Sequence, residues 1–353
     1  MIAINGKIFT QRMSGLGRFA YEVVKRMVDA SVDLTIITPN KPLHSNYEML
    51  TKFVMRDKSP LHPFLWEVFR LGRIVMPNKF AALWSPANIG PINPIVPHFV
   101  TLHDLTFIHN PEWMNYKGRL IYRTLIPLIC KRARAVIADS DFVRQELIKY
   151  LPFKKSSDIY MTYLGVDHVV PKPVVFTRFD LPKKYFMFIG NIDKRKNLDN
   201  IIHAWQIACA KLNGAINLFI VGEIKYREKF HLDLNDDSVQ LLTGLLDEEL
   251  FYLLSKSLGL IFPSLYEGFG LPTIEAMRCG CPVITSNIGT MAEIAGDAAL
   301  LVDPHSVMDI ADAIIKLAGS DSLHAELVNR GNVHQGVFTW DKTAEFYIEL
   351  FPN

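Results

Sequence analysis

The sequence predicts an α/β protein made of two doubly wound domains. Short apolar runs alternate with longer segments whose apolar residues recur at helical spacing, and this alternation continues through both halves of the chain. The chain has 353 residues, which is long for a single hydrophobic core. Prolines are concentrated between residues 171 and 182, so we expect an extended connector there. These observations place the domains at residues 1–168 and 169–336.

The composition argues against several classes of protein. The net charge is +2 and 49% of the residues are hydrophobic, so the sequence indicates neither a disordered chain nor a nucleic-acid-binding protein. No apolar run reaches the roughly 18 residues that cross a bilayer, and the first residues lack a signal-peptide pattern. We therefore expect a cytoplasmic protein. The 4 cysteines favour buried thiols over disulfides or a zinc site, because Cys279 and Cys281 have no histidine pair nearby.

The first half opens with a strand at residues 2–4, which a glycine turn follows. Ser14 can cap the next helix, and Gly15 and Gly17 leave the backbone open at its start. The same turn is equally compatible with an ordinary connection between a strand and a helix. Further strands are expected at residues 33–38, 82–85, 99–101 and 135–138.

His103 and Asp104 directly follow the strand at residues 99–101. Ligands bind outside the carboxyl ends of the strands in an open parallel sheet, so both side chains are candidate functional residues. A purely structural hydrogen bond is the alternative interpretation of the pair.

The string Asp139-Ser140-Asp141 permits two interpretations. An Asp-x-Asp string binds a metal–nucleotide complex in some enzymes. Ser140 or Asp141 is also well placed to cap the helix that follows, and such caps are common. We favour the cap, because no second acidic cluster lies close by in the sequence to complete a metal site.

Residues 117–134 predict a helix that is apolar along much of its length. Its basic residues fall within about half a turn. They are Lys117, Arg119, Arg123, Lys131 and Arg134. The helix either lies on an anionic membrane surface or presents a solvated face over a hydrophobic core.

A second series of strands and helices begins at residue 185. The strand at 185–189 ends at Gly190 and Asn191, and the cations Arg195 and Lys196 precede the next helix. Cations in this position suit a diphosphate group, although solvated surface cations are the alternative. The strands expected at 218–221 and 239–242 are followed by Gly222 and Gly244.

The most informative stretch runs from residue 261 to residue 285. An apolar strand ends at Phe262, Gly268 and Gly270 mark a tight loop, and Pro272 suits the start of a helix. The free backbone N–H groups at such a helix start attract an anion. Glu275 lies about one turn into the helix, where it can accept hydrogen bonds from sugar hydroxyls.

The segment from Glu267 to Glu275 resembles the glutamate-seven-glutamate motif of the retaining glycosyltransferases of family four. The residues from 276 to 284 and Glu293 continue the resemblance. In that family the second glutamate holds the ribose of the nucleotide, and the first reaches the donor sugar. The family usually has an arginine where this chain has Asn191, and Arg195 is our substitute for it.

The resemblance implies the GT-B fold, in which two Rossmann-like domains face each other across a cleft. It also implies that the segment at 337–353 is a helix that returns to pack on the first domain. The glycine loop near residue 15 would close over the donor diphosphate. Residues 101–107 resemble a branch of the family that makes bacterial surface polysaccharides.

The resemblance assigns three groups of site residues and no metal. The catalytic candidates are His103, Glu267, Arg195 and Lys196. The donor-binding candidates are Gly15, Gly17, Gly190, Asn191, Gly222, Gly244, Gly268, Phe269, Gly270, Leu271, Thr273 and Glu275. Asp104 is placed on the acceptor side.

The expected function is the transfer of a sugar from a nucleoside diphosphate to a hydroxyl of a glycan or a polyprenyl-linked acceptor. Guanosine-diphosphate mannose is the first choice of donor, and deoxythymidine-diphosphate rhamnose is the second. The alternatives are a nucleotide-sugar epimerase and a nucleotide-sugar-binding protein without turnover. We expect a cytoplasmic location, with the inner face of the membrane as a site of peripheral attachment if the basic helix binds lipid.

Overall fold

The computed structural model describes residues 1–172, 180–191, 193–222 and 237–352. The chain divides into two compact units, of which the first comprises Met1–Gly165 with Thr339–Asn353 and the second comprises Val166–Phe338. Part of the proline-rich connector, residues 173–179, lies outside the described residues.

The first unit contains a parallel sheet, whose strand order in the described residues is β3-β2-β1-β4-β5-β6-β7. The strands are β1 (Ile2–Asn5), β2 (Leu34–Thr38), β3 (Val54–Arg56), β4 (Ala82–Ser85), β5 (His98–Thr101), β6 (Ala135–Ala138) and β7 (Ile159–Met161). The helices are α1 (Gly15–Asp29), α2 (Pro63–Leu65), α3 (Leu71–Ile74), α4 (Thr106–His109), α5 (Tyr116–Arg132), α6 (Asp141–Tyr150) and the C-terminal α13 (Trp340–Leu350).

The second unit contains another parallel sheet, with the order β10-β9-β8-β11-β12-β13 in the part of the chain described. Its strands are β8 (Tyr185–Ile189), β9 (Asn217–Val221), β10 (Val239–Leu242), β11 (Gly259–Phe262), β12 (Val283–Ser286) and β13 (Leu300–Val302). Its helices are α7 (Leu198–Lys211), α8 (Asp247–Lys256), α9 (Leu271–Arg278), α10 (Gly289–Ala295), α11 (Val307–Ala318) and α12 (Asp321–His334).

Short 3-10 helices and one π-helix complete the described elements. The 3-10 helices are Gly6–Thr10, Ser45–Phe53, Pro111–Trp113, Ser156–Asp158, Lys194–Lys196 and Gln335–Val337, and the π-helix is Trp66–Arg70.

Both sheets confirm the predicted α/β class with parallel, doubly wound strands. The central strands are apolar throughout and buried along their length, as in β8 and β11, because helices cover both faces of such a sheet. The C-terminal helix α13 packs on α1 within the first unit. Its Trp340 and Tyr347 lie against Phe19, with ring centroids 6.3 Å and 6.0 Å apart.

The strand order of the second sheet determines where a ligand can bind. Counted from the first strand of the unit, the order is 3-2-1-4-5-6. The strands β9 and β10 are added on one side of β8 and those from β11 to β13 on its other side, so the strand order reverses between β8 and β11. These strands are hydrogen-bonded neighbours, with Gly259 beside Phe186 and Leu260 beside Met187. Ligands in open α/β sheets bind at the carboxyl ends of the strands at such a reversal. The loops after β8 and β11 therefore meet at the expected binding position.

Three short strands were not predicted from the sequence. They are β3 (Val54–Arg56), β7 (Ile159–Met161) and β13 (Leu300–Val302), each of 3 residues. Each lies at an edge of its sheet in the described structure, where one neighbouring strand is enough to define it. A segment this short shows no periodicity, so only strand pairing identifies it.

Candidate functional site

Two cations and a carboxylate meet where the loops after β8 and β11 come together. The Nζ atom of Lys196 lies 2.6 Å from Oε1 of Glu267, and Nη1 of Arg195 lies 3.6 Å from Oε2 of the same carboxylate. Lys196 and Glu267 are each 8% exposed. The Lys196 ammonium also lies 4.3 Å from the centre of the Phe262 ring, a favourable cation–π distance. The Arg195 side chain is 25% exposed, so it is the cation of this cluster that solvent reaches more easily.

The backbone after β8 is held in place by local hydrogen bonds. The side chain of Asp193 accepts a hydrogen bond from the N–H of Lys196 and caps the turn that carries both cations. Asn197 adopts a left-handed conformation with φ of 61°, and its amide donates to the carbonyls of Pro263 and Pro304. These bonds tie the loop after β8 to the loops after β11 and β13. The position of the cations relative to Glu267 is therefore set by the backbone.

Charge compensation keeps Glu267 ionised although it is buried. Burial by itself raises the pKa of the Glu267 carboxyl, but Arg195 and Lys196 outweigh it and the pKa falls below its ordinary value. Burial lowers the pKa of the Lys196 ammonium, and the charge of Glu267 opposes that shift. A carboxylate with a lowered pKa is a weak base. The cluster is therefore better suited to binding and to charge stabilisation than to taking up a proton.

Helix α9 begins beside this cluster in a backbone conformation that requires glycine. Gly270, the residue before the helix, has φ of 85°, and a Cβ atom there would lie 2.7 Å from Sδ of Met291. Pro272 occupies the first turn, where a missing N–H costs nothing. The Thr273 hydroxyl is buried and has no hydrogen-bond partner among the described residues. The start of α9 thus offers backbone N–H groups and a hydroxyl suited to an anionic ligand.

Glu275 lies on α9 one turn further in, and its carboxylate is held by a histidine. Nε2 of His168 is 3.1 Å from Oε1 of Glu275, and the side chains are 4% and 15% exposed respectively. The sequence did not single out His168. Its distance of 107 positions from Glu275 leaves no local signal that could have found it.

The remaining donor-binding candidates lie around the same sheet edge. Gly190 bonds through its N–H to the carbonyl of Val221, and a Cβ atom on Gly222 would collide with the Gly190 carbonyl. Asn191 is exposed at the end of β8, and Gly244 follows β10 with φ of 65°. Gly268 and Phe269 lie in the loop between β11 and α9, and Leu271 is the first residue of α9.

In the first unit, the glycine turn before α1 has the predicted cap. The Ser14 hydroxyl accepts a hydrogen bond from the N–H of Gly17 at 3.4 Å. A Cβ atom on Gly17 would collide with the hydroxyl of Tyr47, so a larger residue does not fit there. Gly15 is the first residue of the helix.

His103 has both ring nitrogens engaged. Nδ1 lies 2.5 Å from Oδ2 of Asp139, and Nε2 lies 2.7 Å from the carbonyl oxygen of Pro86. The Pro86 carbonyl can only accept, and the Asp139 carboxylate accepts when it is ionised, so with Asp139 ionised both ring nitrogens carry a proton. Burial alone would lower the pKa of His103, but Asp139 and the Pro86 carbonyl raise it above its ordinary value. Asp104 is directed elsewhere, since its Oδ1 accepts from the N–H of Thr106.

The Asp139-Ser140-Asp141 string serves structure. Ser140 caps α6 by accepting from the N–H of Val143, as the sequence predicted, and Asp139 is paired with His103. Within the residues that the structure describes, no group of 3 or more His, Cys, Asp or Glu side chains is arranged to hold a metal ion. No helix in the described ranges is both long and apolar enough to cross a membrane.

Comparisons with known proteins agree with this architecture. A family model described as Glycosyltransferase Family 4 matches residues 13–170, and one described as Glycosyl transferases group 1 matches residues 175–334. The chain is 27% identical to O-antigen chain mannosyltransferase B of Escherichia coli, over 93% of each protein. It is 28% identical over 63% of its length to the serotype-specific mannosyltransferase WbdA of Escherichia coli, of which it matches only 29%.

The solved structure of WaaG, a glycosyltransferase involved in lipopolysaccharide biosynthesis, has the same fold. It superimposes with a TM-score of 0.75 over 100% of both chains at 15% identity. The two family models follow each other along the chain and cover one unit each, apart from the short ends. The chain is therefore a glycosyltransferase of the GT-B fold and belongs to the family that the group 1 and family 4 models describe.

Proposed function

We propose that this glycosyltransferase is a retaining, metal-independent enzyme that transfers mannose from guanosine-diphosphate mannose. The acceptor we propose is a hydroxyl of a glycan or of a polyprenyl-linked oligosaccharide in the assembly of bacterial O-antigen or a related surface polysaccharide. The observation that carries the proposal is the cluster of the partly exposed Arg195 with the buried Lys196 and Glu267 beside the start of α9. The names of the two similar Escherichia coli proteins support mannose as the sugar.

The donor would bind with its diphosphate between the cations and the start of α9. The guanidinium of Arg195 and the ammonium of Lys196 supply charge, while the helix start and the Thr273 hydroxyl supply donors in fixed positions. Glu275, further along the same helix, would accept hydrogen bonds from the ribose hydroxyls. Glu267 would face the transferred sugar.

The cations would act on the step in which the donor breaks. The bond between the anomeric carbon and the diphosphate oxygen is cleaved, and the diphosphate takes up the electron pair. Arg195 and Lys196 stabilise the charge that develops there, and the ionised carboxylate of Glu267 balances one of their two charges before the donor arrives. The oxygen of the acceptor hydroxyl forms the new bond to the anomeric carbon on the same face of the sugar, and the departing phosphate oxygen takes up the proton of that hydroxyl. We therefore assign no protein side chain as a nucleophile.

The first-unit candidates enter the proposal through the family resemblance. We place His103 near the transferred sugar and Asp104 on the acceptor side, with Gly15 and Gly17 near the diphosphate. The ring of His103 would be fixed in orientation there, because both of its N–H groups are already donated.

Donor hydrolysis in the absence of acceptor tests the proposal. The purified protein is incubated with guanosine-diphosphate mannose, deoxythymidine-diphosphate rhamnose or uridine-diphosphate glucose, with and without EDTA. We expect slow release of free mannose from guanosine-diphosphate mannose and no hydrolysis of the other two donors, and EDTA should not change the rate. Any product formed on an added acceptor should have the α configuration. An epimerised donor would instead indicate an epimerase, and an unchanged donor with tight binding would indicate a protein without turnover. Loss of activity with EDTA would refute metal independence.

We also propose that helix α5 attaches the protein to an anionic membrane surface. Tyr116, Leu120 and Leu128 are 69%, 54% and 48% exposed, and they follow each other at intervals of one or two turns. Exposed basic residues, among them Lys117 and Arg123, accompany them on the helix. Apolar and basic residues together on one surface helix suit the interface of an anionic bilayer.

Flotation with liposomes tests the membrane proposal. The protein should float with vesicles that contain phosphatidylglycerol and remain behind with pure phosphatidylcholine. The variant L120S/L128S should lose flotation, while the matched variant V333S, which removes an exposed apolar side chain elsewhere, should keep it. Equal recovery with both vesicle types, or no flotation at all, would refute the proposal.

A further inference from the structure

His168 makes a buried hydrogen bond to the glutamate that we assign to the ribose. Its Nε2 lies 3.1 Å from Oε1 of Glu275. A carboxylate oxygen accepts, so the imidazole must donate this hydrogen bond from Nε2–H. The His168 side chain is 4% exposed whereas that of Glu275 is 15% exposed. The histidine is therefore the buried partner, and the carboxylate is the one that a ligand can reach.

The backbone around His168 is fastened to the same helix. The N–H of Val169 donates to the carbonyl of Val166 and closes a turn around the histidine. Nε of Arg278 donates to the carbonyl of Val169 at 3.4 Å. Arg278 follows Glu275 by three positions, so the turn contacts α9 at two points on one side of the helix. This double attachment keeps the distance between the imidazole and the carboxylate constant.

The imidazole itself is confined by packing. Its ring contacts the ring of Phe251 edge-on, with centroids 6.2 Å apart. A ring that is buried, packed and hydrogen-bonded has few alternative rotamers. A glutamate without such a partner loses rotational freedom of its side chain when a ligand fixes it, and this loss opposes binding. A preformed hydrogen bond to Oε1 removes part of that cost before the ligand arrives.

We propose that His168 is a positioning residue for ribose recognition, which holds Oε1 of Glu275 so that Oε2 is presented to the vicinal hydroxyls of a nucleoside diphosphate. The inference rests on the proposed donor site and deepens it, because it concerns how the glutamate recognises a ribose. It assigns His168 no contact with the ligand. Its effect on binding must therefore depend on the sugar hydroxyls, which a general structural role would not require.

The test compares two ligands that differ only in these hydroxyls. Affinities of the full-length protein are measured by calorimetry for guanosine diphosphate and for 2′,3′-dideoxyguanosine diphosphate. Uridine diphosphate and its dideoxy form are measured as a second pair. The variants are H168F, which keeps a ring against Phe251 but has no donor, and H168Q, which keeps an N–H donor. The variant E275Q is the reference for loss of the carboxylate, and thermal unfolding checks that each variant is folded.

We expect H168F to weaken binding of the preferred ribonucleotide by about 5- to 20-fold and to leave binding of its dideoxy form within about 2-fold. H168Q should recover most of the loss. Equal losses for both ligands in H168F, or unchanged affinity for the ribonucleotide, would overturn the inference. Those outcomes leave the donor site intact, provided that E275Q weakens the ribonucleotide. If the unaltered protein binds none of the nucleotides, both the proposed donor site and this inference are refuted.

Discussion

The imidazole of His103 and the carboxylate of Asp139 form a buried pair in which Nδ1 and Oδ2 are 2.5 Å apart. The other ring nitrogen donates to the carbonyl of Pro86, so the structure stabilises the doubly protonated ring. The pKa of His103 is raised as a result, although burial opposes the shift.

The first prediction concerns the alkaline side of the stability profile. A histidine whose pKa is raised by folding stabilises the protein fully below its unfolded pKa of about 6.5, and that contribution is lost as the pH rises through the folded value. We expect D139N to lower the free energy of unfolding by about 1–3 kcal/mol at pH 6 and by less at pH 9. Urea denaturation at both pH values measures the effect. A loss that is the same or larger at pH 9 would contradict the assignment of a protonated ring.

The second prediction concerns the pair of Lys196 and Glu267. The pKa of Glu267 is lowered by folding, so its contribution to stability is present above an unfolded pKa of about 4.3 and is lost as the pH falls through the folded value. At pH 7 the free energy of unfolding of E267Q should be about 3–5 kcal/mol lower than that of the unaltered protein, because the variant leaves the Lys196 ammonium buried without its counter-charge. Urea denaturation of E267Q, K196M and the double variant measures the free energies of unfolding. The double variant should lose less stability than the sum of the losses in the two single variants.

Arg195 provides the matched control for that pair. Its side chain is 25% exposed and 3.6 Å from Glu267, so R195M should change stability by less than about 1 kcal/mol. Because R195M lacks the positive charge that stabilises the departing diphosphate, its turnover rate should fall about 100-fold or more. Full activity in R195M would show that Arg195 does not act in the site. For the pair, a loss of stability in the double variant equal to the sum of the two single losses would show that Lys196 and Glu267 do not interact.

The third prediction separates backbone strain from close packing at the start of α9. Gly270 and Gly214 both have positive φ, 85° and 68°, but a Cβ atom would contact Met291 only at Gly270. G214A should lower the free energy of unfolding by about 1–2 kcal/mol, because alanine is strained at a positive φ. G270A should lower the free energy of unfolding by about 1 kcal/mol more than G214A does, because the side chain of Met291 must move. G270A should also weaken donor binding. Thermal unfolding and calorimetry measure these changes. Equal stability of the two variants with unchanged donor affinity would refute a tight start of α9.

The fourth prediction concerns acid stability. His98 is fully buried, and burial lowers its pKa to about 3. The unfolded chain takes up a proton at about pH 6.5 while the folded chain does not, so stability is lost as the pH falls from there. We expect His98 to account for about 2–3 kcal/mol of the loss between pH 7 and pH 4.5.

The variant H98F isolates this effect because it fills the same space and cannot be protonated. It leaves the Ser85 hydroxyl without its partner, so it should be less stable than the unaltered protein at pH 7. Its further loss on acidification should nevertheless be smaller, as urea denaturation at pH 7 and pH 4.5 would show. An identical further loss in both proteins would mean that His98 does not titrate on unfolding.

Much of the fold follows from local signals in the sequence. The strands β4, β6, β8 and β10 have the predicted bounds, because each is an apolar run that punctuating residues delimit. The caps at Ser14 and Ser140 were readable because a hydroxyl at the start of a helix satisfies an N–H only three positions away. The edge strands β3, β7 and β13 carry no such signal, since each consists of 3 residues that only a neighbouring strand orders.

Local signals in the sequence predicted the central strands, the glycine loop before α9, and the positions of Glu267 in that loop and of Glu275 about one turn into the helix. These features depend on neighbours within a few positions. The tertiary structure alone decided that His168 bonds Glu275, that Asp139 bonds His103, and that Asn197 joins the loops after β8 and β11. The partners lie 107, 36 and 66 positions apart, and only the order of the strands in each sheet brings them within hydrogen-bonding distance.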